Sequence, residues 1–396
     1  MIIGGGVIGA ACARGLALDH GARVTVLERD PSYARASSAL SASSIRRQFS
    51  TPVNIALSQA SLDLMRPWLD ELAFVEAGYL YLARDAATLA ALNPMQRATG
   101  ADVRLLDRAA LHARWPWLAL DDIALGSWGA RGEGWFDGPA LHLRLRREAI
   151  AHGVRFVPAD AVDFATQGER VVAVIDAQGA HHAADQLLIA AGAWSAPLTA
   201  RLGVALPVSA KKRDVFVLES PAALPACPLL IDPSGVWLRP EGVQSPRGPA
   251  GRPPEGARAP PERPRGALFL AGAPPRDGDP DDAPLDAIDH GLFDDHIWPT
   301  LAARIPSFEA LRVRSAWAGY YEMNTFDHNA LVGALPGWAN AHVACGFSGH
   351  GMQHAPAIGR GMASFVAAGH FGPIDLAPLS PARLARNEPL VEANVI

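Results

Sequence analysis

Cysteine is scarce in this chain: Cys12, Cys227 and Cys345 are the only three among 396 residues, and no two form a CxxC pair. That excludes a disulfide framework and a thiolate zinc site, and it fits a reducing cytoplasm. A basic excess is also lacking. The net charge is -5, whereas a chain that grips phosphate backbones carries surplus cations, so nucleic acid is not an expected partner. No apolar run is long enough to cross a bilayer; the best, Leu187 to Val208, is interrupted by Arg201, Pro197 and Pro207. No leader peptide is expected either, because the residues from Met1 onward already belong to a folded motif. What is abundant is apolar. Hydrophobic residues make up 49% and charged ones 19%, the composition of a compact soluble enzyme. A length of 396 residues exceeds one ordinary core, so two closely packed domains are expected.

The opening residues carry the strongest local signal. Gly4, Gly6 and Gly9 match GxGxxG, followed by a helical stretch from Ala10 to His20, then Gly21 and a strand from Arg23 to Glu28. The first glycine permits a tight turn and the second lets backbone approach a pyrophosphate. The third lets helix and strand pack closely. The helix then points its positive end at the phosphates. Glu28 closes the second strand where a carboxylate can accept from ribose hydroxyls. Together these parts predict a Rossmann-type dinucleotide site.

FAD and NAD both use such a unit, so other segments must decide. Asp185 to Ser195 reads as a buried strand running into a small-residue turn, as expected beside a cofactor. Further on, Ala344 to His354 contains Gly346, Gly349 and Gly351 ahead of an apolar helical stretch reaching Ala368. Its glycines free the backbone, and the helix start offers uncommitted N–H donors. Such a loop can hold the electron-rich pyrimidine end of a flavin, or be an ordinary loop before a helix. The spread of these motifs along the chain disfavours a plain NAD-dependent dehydrogenase.

The segments GGGVIG, the Glu28-Arg29 pair, ASSALSASSIRRQFS from Ala36 to Ser50, AAGAWS near Gly192 and GFSGHGMQHAPAIGRGMA resemble the D-amino-acid oxidase superfamily of FAD enzymes. Within it, IRRQFS and the run from Trp317 to Asn329 are most similar to the group called FAD-dependent oxidoreductase domain-containing proteins. The resemblance implies an α/β fold with interleaved halves: a Rossmann-type FAD domain from about 1–75, 133–207 and 315–396, and an α+β substrate domain on a largely antiparallel sheet from 76–132 and 208–314. Independently of it, Gly78 to Leu82, Val215 to Leu218, Val236 to Leu238 and Leu268 to Leu270 have strand character. Gln244 to Gly266, rich in Pro, Gly and Arg, predicts a disordered hairpin extension.

The FAD contacts implied begin with Gly4, Gly5, Gly6, Val7, Ile8 and Gly9, then Glu28 and Arg29. They continue through Ser37, Ser38, Ser43 and Ser44, Val162, and Ala191, Gly192 and Trp194. The set ends with Gly346, Ser348, Gly349, His350, Gly351 and Met352. For chemistry, the resemblance sends the Ser43–Arg47 loop past the flavin, where Arg46 can grip a substrate carboxylate bidentately. Tyr321 is expected to face the substrate, and His350 to hydrogen-bond near the flavin ring. No metal is expected: His350 and His354 have i,i+4 spacing but no third ligand accompanies them. The other histidines read as surface residues.

Departures from the pattern are informative. Monomeric sarcosine oxidases attach flavin through a cysteine on the strand that reads Gly319-Tyr320-Tyr321 here, so FAD is expected to be held without a covalent bond. They also carry a loop lysine where this chain has Gln353. Lys211 and Lys212 are the only lysines in the chain, and the strand Ala267 to Leu270, where those oxidases place a flavin-facing lysine, is apolar. The function implied is oxidation of the C–N bond of a small amine or amino acid, with poor reactivity toward dioxygen; the acceptor is dioxygen, a quinone or an electron-transfer protein. The same resemblance allows an alternative, an FAD-containing assembly or scaffold factor with little turnover.

Overall fold

The computed structural model describes residues 1–242, 266–276 and 278–395. The expected hairpin extension from Gln244 lies outside the described residues except for Gly266. Two large sheets organise the chain. The first has six strands in the order Leu331–Ala334, Ala341–Cys345, Leu187–Ile189, Ile2–Ile3, Thr25–Glu28 and Arg155–Pro158. Five run parallel and the edge strand Leu331–Ala334 is antiparallel. Parallel strands need both faces covered, which explains why Leu187–Ile189 and Ala341–Cys345 are buried throughout. Ile2–Ile3 has only two residues yet sits at the centre, registered Ile2 to Leu188 on one side and Ile2 to Val26 on the other.

The helix Val7–His20 leaves this central strand and ends at Gly21, whose φ of 63° makes the left-handed turn. It packs against the helices Gly138–Ala151 and Gly351–Ala368. The contact with the latter is close. A Cβ on Gly359 would stand 2.5 Å from Ala11, so only glycine lets the two backbones meet.

The second sheet has eight strands, in the order Arg312–Asn324, Val208–Ser220, Ala267–Gly272, Trp237–Glu241, Leu229–Ile231, Tyr79–Ala83, Leu125–Gly129 and Val103–Leu106. All four strand segments expected in an antiparallel sheet fall in it, with one parallel pairing between Tyr79–Ala83 and Leu229–Ile231. Its own core gathers Trp115, Phe216, Phe269 and Phe308. Phe269 is fully buried with its ring centroid 5.0 Å from that of Phe308. On the apolar strand where a flavin-facing lysine is missing, Phe269 thus points into this core.

The long strands Val208–Ser220 and Arg312–Asn324 pair over nearly their whole lengths. Across the first lies an acidic strap, residues 278–289. Lys211 pairs with Asp281 at 2.8 Å, Arg213 grips both carboxylate oxygens of Asp279, and Tyr320 donates its hydroxyl to Ala283 O. Lys212 pairs with Asp214 and donates to Ala287 O. No helix among the described residues is long and apolar enough to cross a membrane.

Candidate functional site

A cavity of about 470 Å³ opens at the carboxyl ends of the parallel strands, where open α/β sheets bind ligands. The first turn is shaped for a ligand that approaches backbone. Gly4 has φ +95°, and a Cβ there would meet Ala190 O at 2.4 Å; a Cβ on Gly9 would fall 1.9 Å from Gly4 O. Glu28 accepts from Gly5 N–H at 2.7 Å and Asp30 N–H at 2.9 Å, which fixes its carboxylate at the end of its strand.

Most residues expected to contact a cofactor converge on this cavity. Gly4, Gly6, Val7, Ile8, Glu28 and Arg29 line it, with Ser37, Ser38, Ser43 and Ser44. So do Val162, Ala191, Gly192 and Trp194, and from the later loop Gly349, Gly351 and Met352. Arg29 lies over the Trp194 ring, its guanidinium carbon 3.8 Å from the centroid. Gly5, Gly9 and Gly346 do not line the cavity; they shape the turns behind it.

Two further expected residues, Ser348 and His350, are placed elsewhere. Ser348 is buried, with φ +49°, and its hydroxyl oxygen accepts from Asn324 N–H, tying the loop to the long strand. His350 sits behind Arg46, with Nε2 3.1 Å from an Arg46 nitrogen and its ring edge-on to Phe49. Burial and the Arg46 charge push its pKa well below the ordinary histidine value, so the ring is neutral. The partner of this ring in the structure is Arg46.

Arg46, Ser348 and His350 instead line a smaller adjoining cavity with Tyr79, Trp237 and Gln353. Tyr321 and Gly349 border both cavities. A Cβ on Gly349 would come within 2.5 Å of the Tyr321 ring, so this glycine is what admits the tyrosine. Arg46 is the only charged side chain lining the smaller cavity among the described residues. Its guanidinium is not free, however. It donates to Gln48 O at 2.9 Å and to Asn394 O, and stacks 4.0 Å over Phe49. Gln353 accepts from Arg46 N–H at 2.9 Å, fixing the loop. His354 turns to Ser58, so the i,i+4 histidine pair does not converge on a common point.

Several site residues carry no local sequence signal. The stretch 387–395 reaches Arg46 through Asn394 O, and Glu392, fully buried, accepts from Ser50 N–H, Thr51 N–H and Asn54 Nδ2. His142 is buried, not surface-exposed as expected, and bonds Gly5 O at 2.8 Å. His342 is likewise buried, beside Gln186. Arg213 reaches the larger cavity from the strand Val208–Ser220.

The residues present fit FAD: a glycine turn that a Cβ would block, a fixed carboxylate on the second strand, and a helix start at Gly351 opening on the same space. Comparison with known proteins agrees. The family model described as FAD dependent oxidoreductase, DAO, matches residues 1–365. The chain is 35% identical to the FAD-dependent oxidoreductase domain-containing protein 1 of Xenopus laevis, with 100% of this chain and 84% of that protein covered. It is 36% identical to the protein of that name in Mus musculus, with 100% and 86% covered. Among solved structures, L-proline dehydrogenase from P. horikoshii has a TM-score of 0.83 at 21% identity, covering 98% of each chain. Glycine oxidase from Geobacillus kaustophilus has 0.77 at 23%, covering 96% of each. These two likenesses are likenesses of fold.

Proposed function

This chain belongs to the DAO family of FAD-dependent oxidoreductases, and on that premise we propose that it oxidises the C–N bond of a small amine or amino acid, free or N-methylated. The observation that carries the reading is the smaller cavity. It joins the larger one at Tyr321 and Gly349, is walled by Tyr79 and Trp237, and contains one cation, Arg46. A small molecule held there has its carbon beside the larger cavity and its carboxylate at Arg46. Bound FAD supplies the two-electron acceptor for the hydride leaving the carbon next to nitrogen.

The residues of the chain do the rest. Arg46 anchors a carboxylate, with His350 and Asn394 fixing its plane. Tyr321 and Tyr79 exclude water and orient the substrate, and Tyr79 is itself held by Ser44 at 2.7 Å. Burial pushes the Tyr79 phenol up to about 12, so it stays a neutral donor. In this reading the FAD domain comprises 1–75, 133–207 and 315–396. The named activity of the related glycine oxidase supports an amino-acid substrate. Residence in the cytoplasm belongs to the same reading, on three buried, unpaired cysteines.

Anaerobic bleaching of the flavin across a panel of N-methyl and free amino acids tests it: at least one should reduce the flavin, and no bleaching by any would favour the scaffold alternative. We further infer a dehydrogenase, because Arg213, the cation on the substrate-domain side of the larger cavity, is neutralised by Asp279. A compensated charge gives little help to a superoxide anion forming nearby. Stopped-flow reoxidation should be slow in air and fast with an artificial acceptor; rapid reoxidation with stoichiometric peroxide would make it an oxidase.

A further inference from the structure

The strand Arg312–Asn324 delivers an acidic side chain, Glu322, to the larger cavity, and the proposed chemistry gives it no role. Glu322 is its third residue from the end. Its Oε2 accepts from Gly346 N–H at 3.0 Å, Phe347 N–H also bonds the carboxylate, and its main-chain oxygen accepts from Ser348 N–H at 3.0 Å. Side chain and backbone together therefore close the loop that precedes the helix Gly351–Ala368. Glu322 lines the cavity, and its carboxylate lies beside Gly351 and Gly192, which line it too. A Cβ on Gly351 would lie 3.4 Å from Oε1, and one on Gly192 would lie 3.9 Å from Oε2. No lysine, arginine or histidine lies within ion-pair distance of it among the described residues.

An electron-rich ligand edge seeking the N–H donors of this loop thus meets a carboxylate that has already taken two of them. The remaining donors belong to the first turn of the helix. The edge of a bound FAD ring seated at that turn has Glu322 as its neighbour. We propose that Glu322 is a flavin-facing carboxylate whose charge lowers the reduction potential of the bound FAD.

The physical chain is short. Reducing the ring adds two electrons with one or two protons, and with one proton the ring gains a negative charge. An ionised carboxylate nearby in a low-dielectric site opposes that charge, whereas a protonated one does not. Burial pushes the Glu322 carboxyl up to about 8, against the two backbone N–H groups that hold it down. The carboxyl therefore changes charge on the alkaline side of neutrality. Other groups near it are few. Cys345, from the neighbouring parallel strand, senses the Glu322 charge and has its thiol pushed up by burial. Tyr321, adjacent on the same strand, is also pushed up by burial. From the opposite strand, Ala210 is paired with Glu322, and the flanking Lys211 is committed to Asp281. Neither Cys345 nor Tyr321 loses its proton before Glu322 does.

The inference rests on FAD binding and not on the amine reading, and its test uses no amine. The potential of the holoprotein is measured by slow reduction against a reference dye from pH 6 to 9.5, for wild type and Glu322→Gln, an isosteric change that keeps an acceptor for the Gly346 N–H. The two should coincide at pH 6. At pH 9.5 the variant should favour the reduced form about tenfold more than wild type, a rise of about 30 mV for a two-electron couple. The flavin absorption maximum of the wild type should shift across the same range, with no matching shift in the variant. Equal potentials at every pH overturn the proposal. If the variant holds no FAD, wild type alone decides: a potential-versus-pH line without a bend above pH 7 overturns it as firmly.

Discussion

The larger and smaller cavities share Tyr321 and Gly349, yet they are built in opposite ways. The larger is assembled from local runs of residues after each strand, with glycines at 4, 6, 192, 349 and 351 leaving space among them, and the turn behind it, at Gly4 and Gly9, is packed directly on backbone. The smaller is made by side chains from distant parts of the chain, with Arg46 meeting His350 from 304 residues away and Asn394 from 348. A wall of backbone tolerates no added atom, because its neighbours cannot move. A wall of interlocked polar side chains fails by degrees, as each lost partner strands a donor or acceptor.

Breaking the backbone-packed turn behind the larger cavity should therefore have the largest effect. Gly9→Ala places a methyl carbon 1.9 Å from Gly4 O. The expected cost is about 3 kcal/mol or more, with loss of bound FAD; thermal unfolding and the ratio of visible to ultraviolet absorbance read both. A yellow protein of unchanged stability would contradict the contrast at its root. The interlocked side chains behind the smaller cavity are probed by Glu392→Ala, which leaves the Ser50 and Thr51 N–H groups without their acceptor and takes from Asn54 Nδ2 one of its two. Stability should fall by about 2 kcal/mol while FAD stays bound, a difference visible in one melting series with flavin fluorescence as a second probe. Arg46→Lys keeps the charge but loses the planar fork. Substrate binding should weaken about tenfold with unchanged FAD content, as measured by anaerobic bleaching titration.

The smallest effect is a slope. Burial, reinforced by the Arg46 charge, holds His354 down to about 3. The folded chain keeps this ring neutral, while the unfolded chain takes up a proton below about pH 6.5. The unfolded state then binds more protons, so stability is lost as the pH falls from 7 toward 5. Glu133, pushed up to about 7 by burial, works the other way between its ordinary value and 7. His354→Gln removes only the first contribution, and should flatten the loss between pH 7 and 5 by about 1 kcal/mol per pH unit. Parallel melting curves of variant and wild type across that range would show that the ring takes its proton without unfolding.

The same contrast explains what was legible in the sequence. The GxGxxG turn, Glu28, the strand running to Ala191 and the glycine loop before Gly351 are local patterns, and each lies where local physics puts it. The strands around Leu80, Val217, Leu238 and Phe269 were legible as strands, but which face Phe269 presents was not, because that depends on pairing with partners far away in the chain. His142 and Glu392 were opaque for the same reason. A histidine on a helix and a glutamate in a polar stretch both read as surface until Gly5 O and Ser50 N–H are brought to them. Arg46 was legible as a residue of interest, but its surroundings were not: the segment that occupies its donors comes 348 positions later.

The scarcity of lysine has a practical consequence. Both side-chain amines of this molecule sit on one strand and both hold the acidic strap, Lys211 at Asp281 and Lys212 at Ala287. Acylating reagents that decorate most proteins all over would therefore find two side-chain addresses here, side by side and each largely shielded. A mass spectrum after brief labelling becomes a two-channel gauge of whether that strap is seated or lifted, read without any engineered tag.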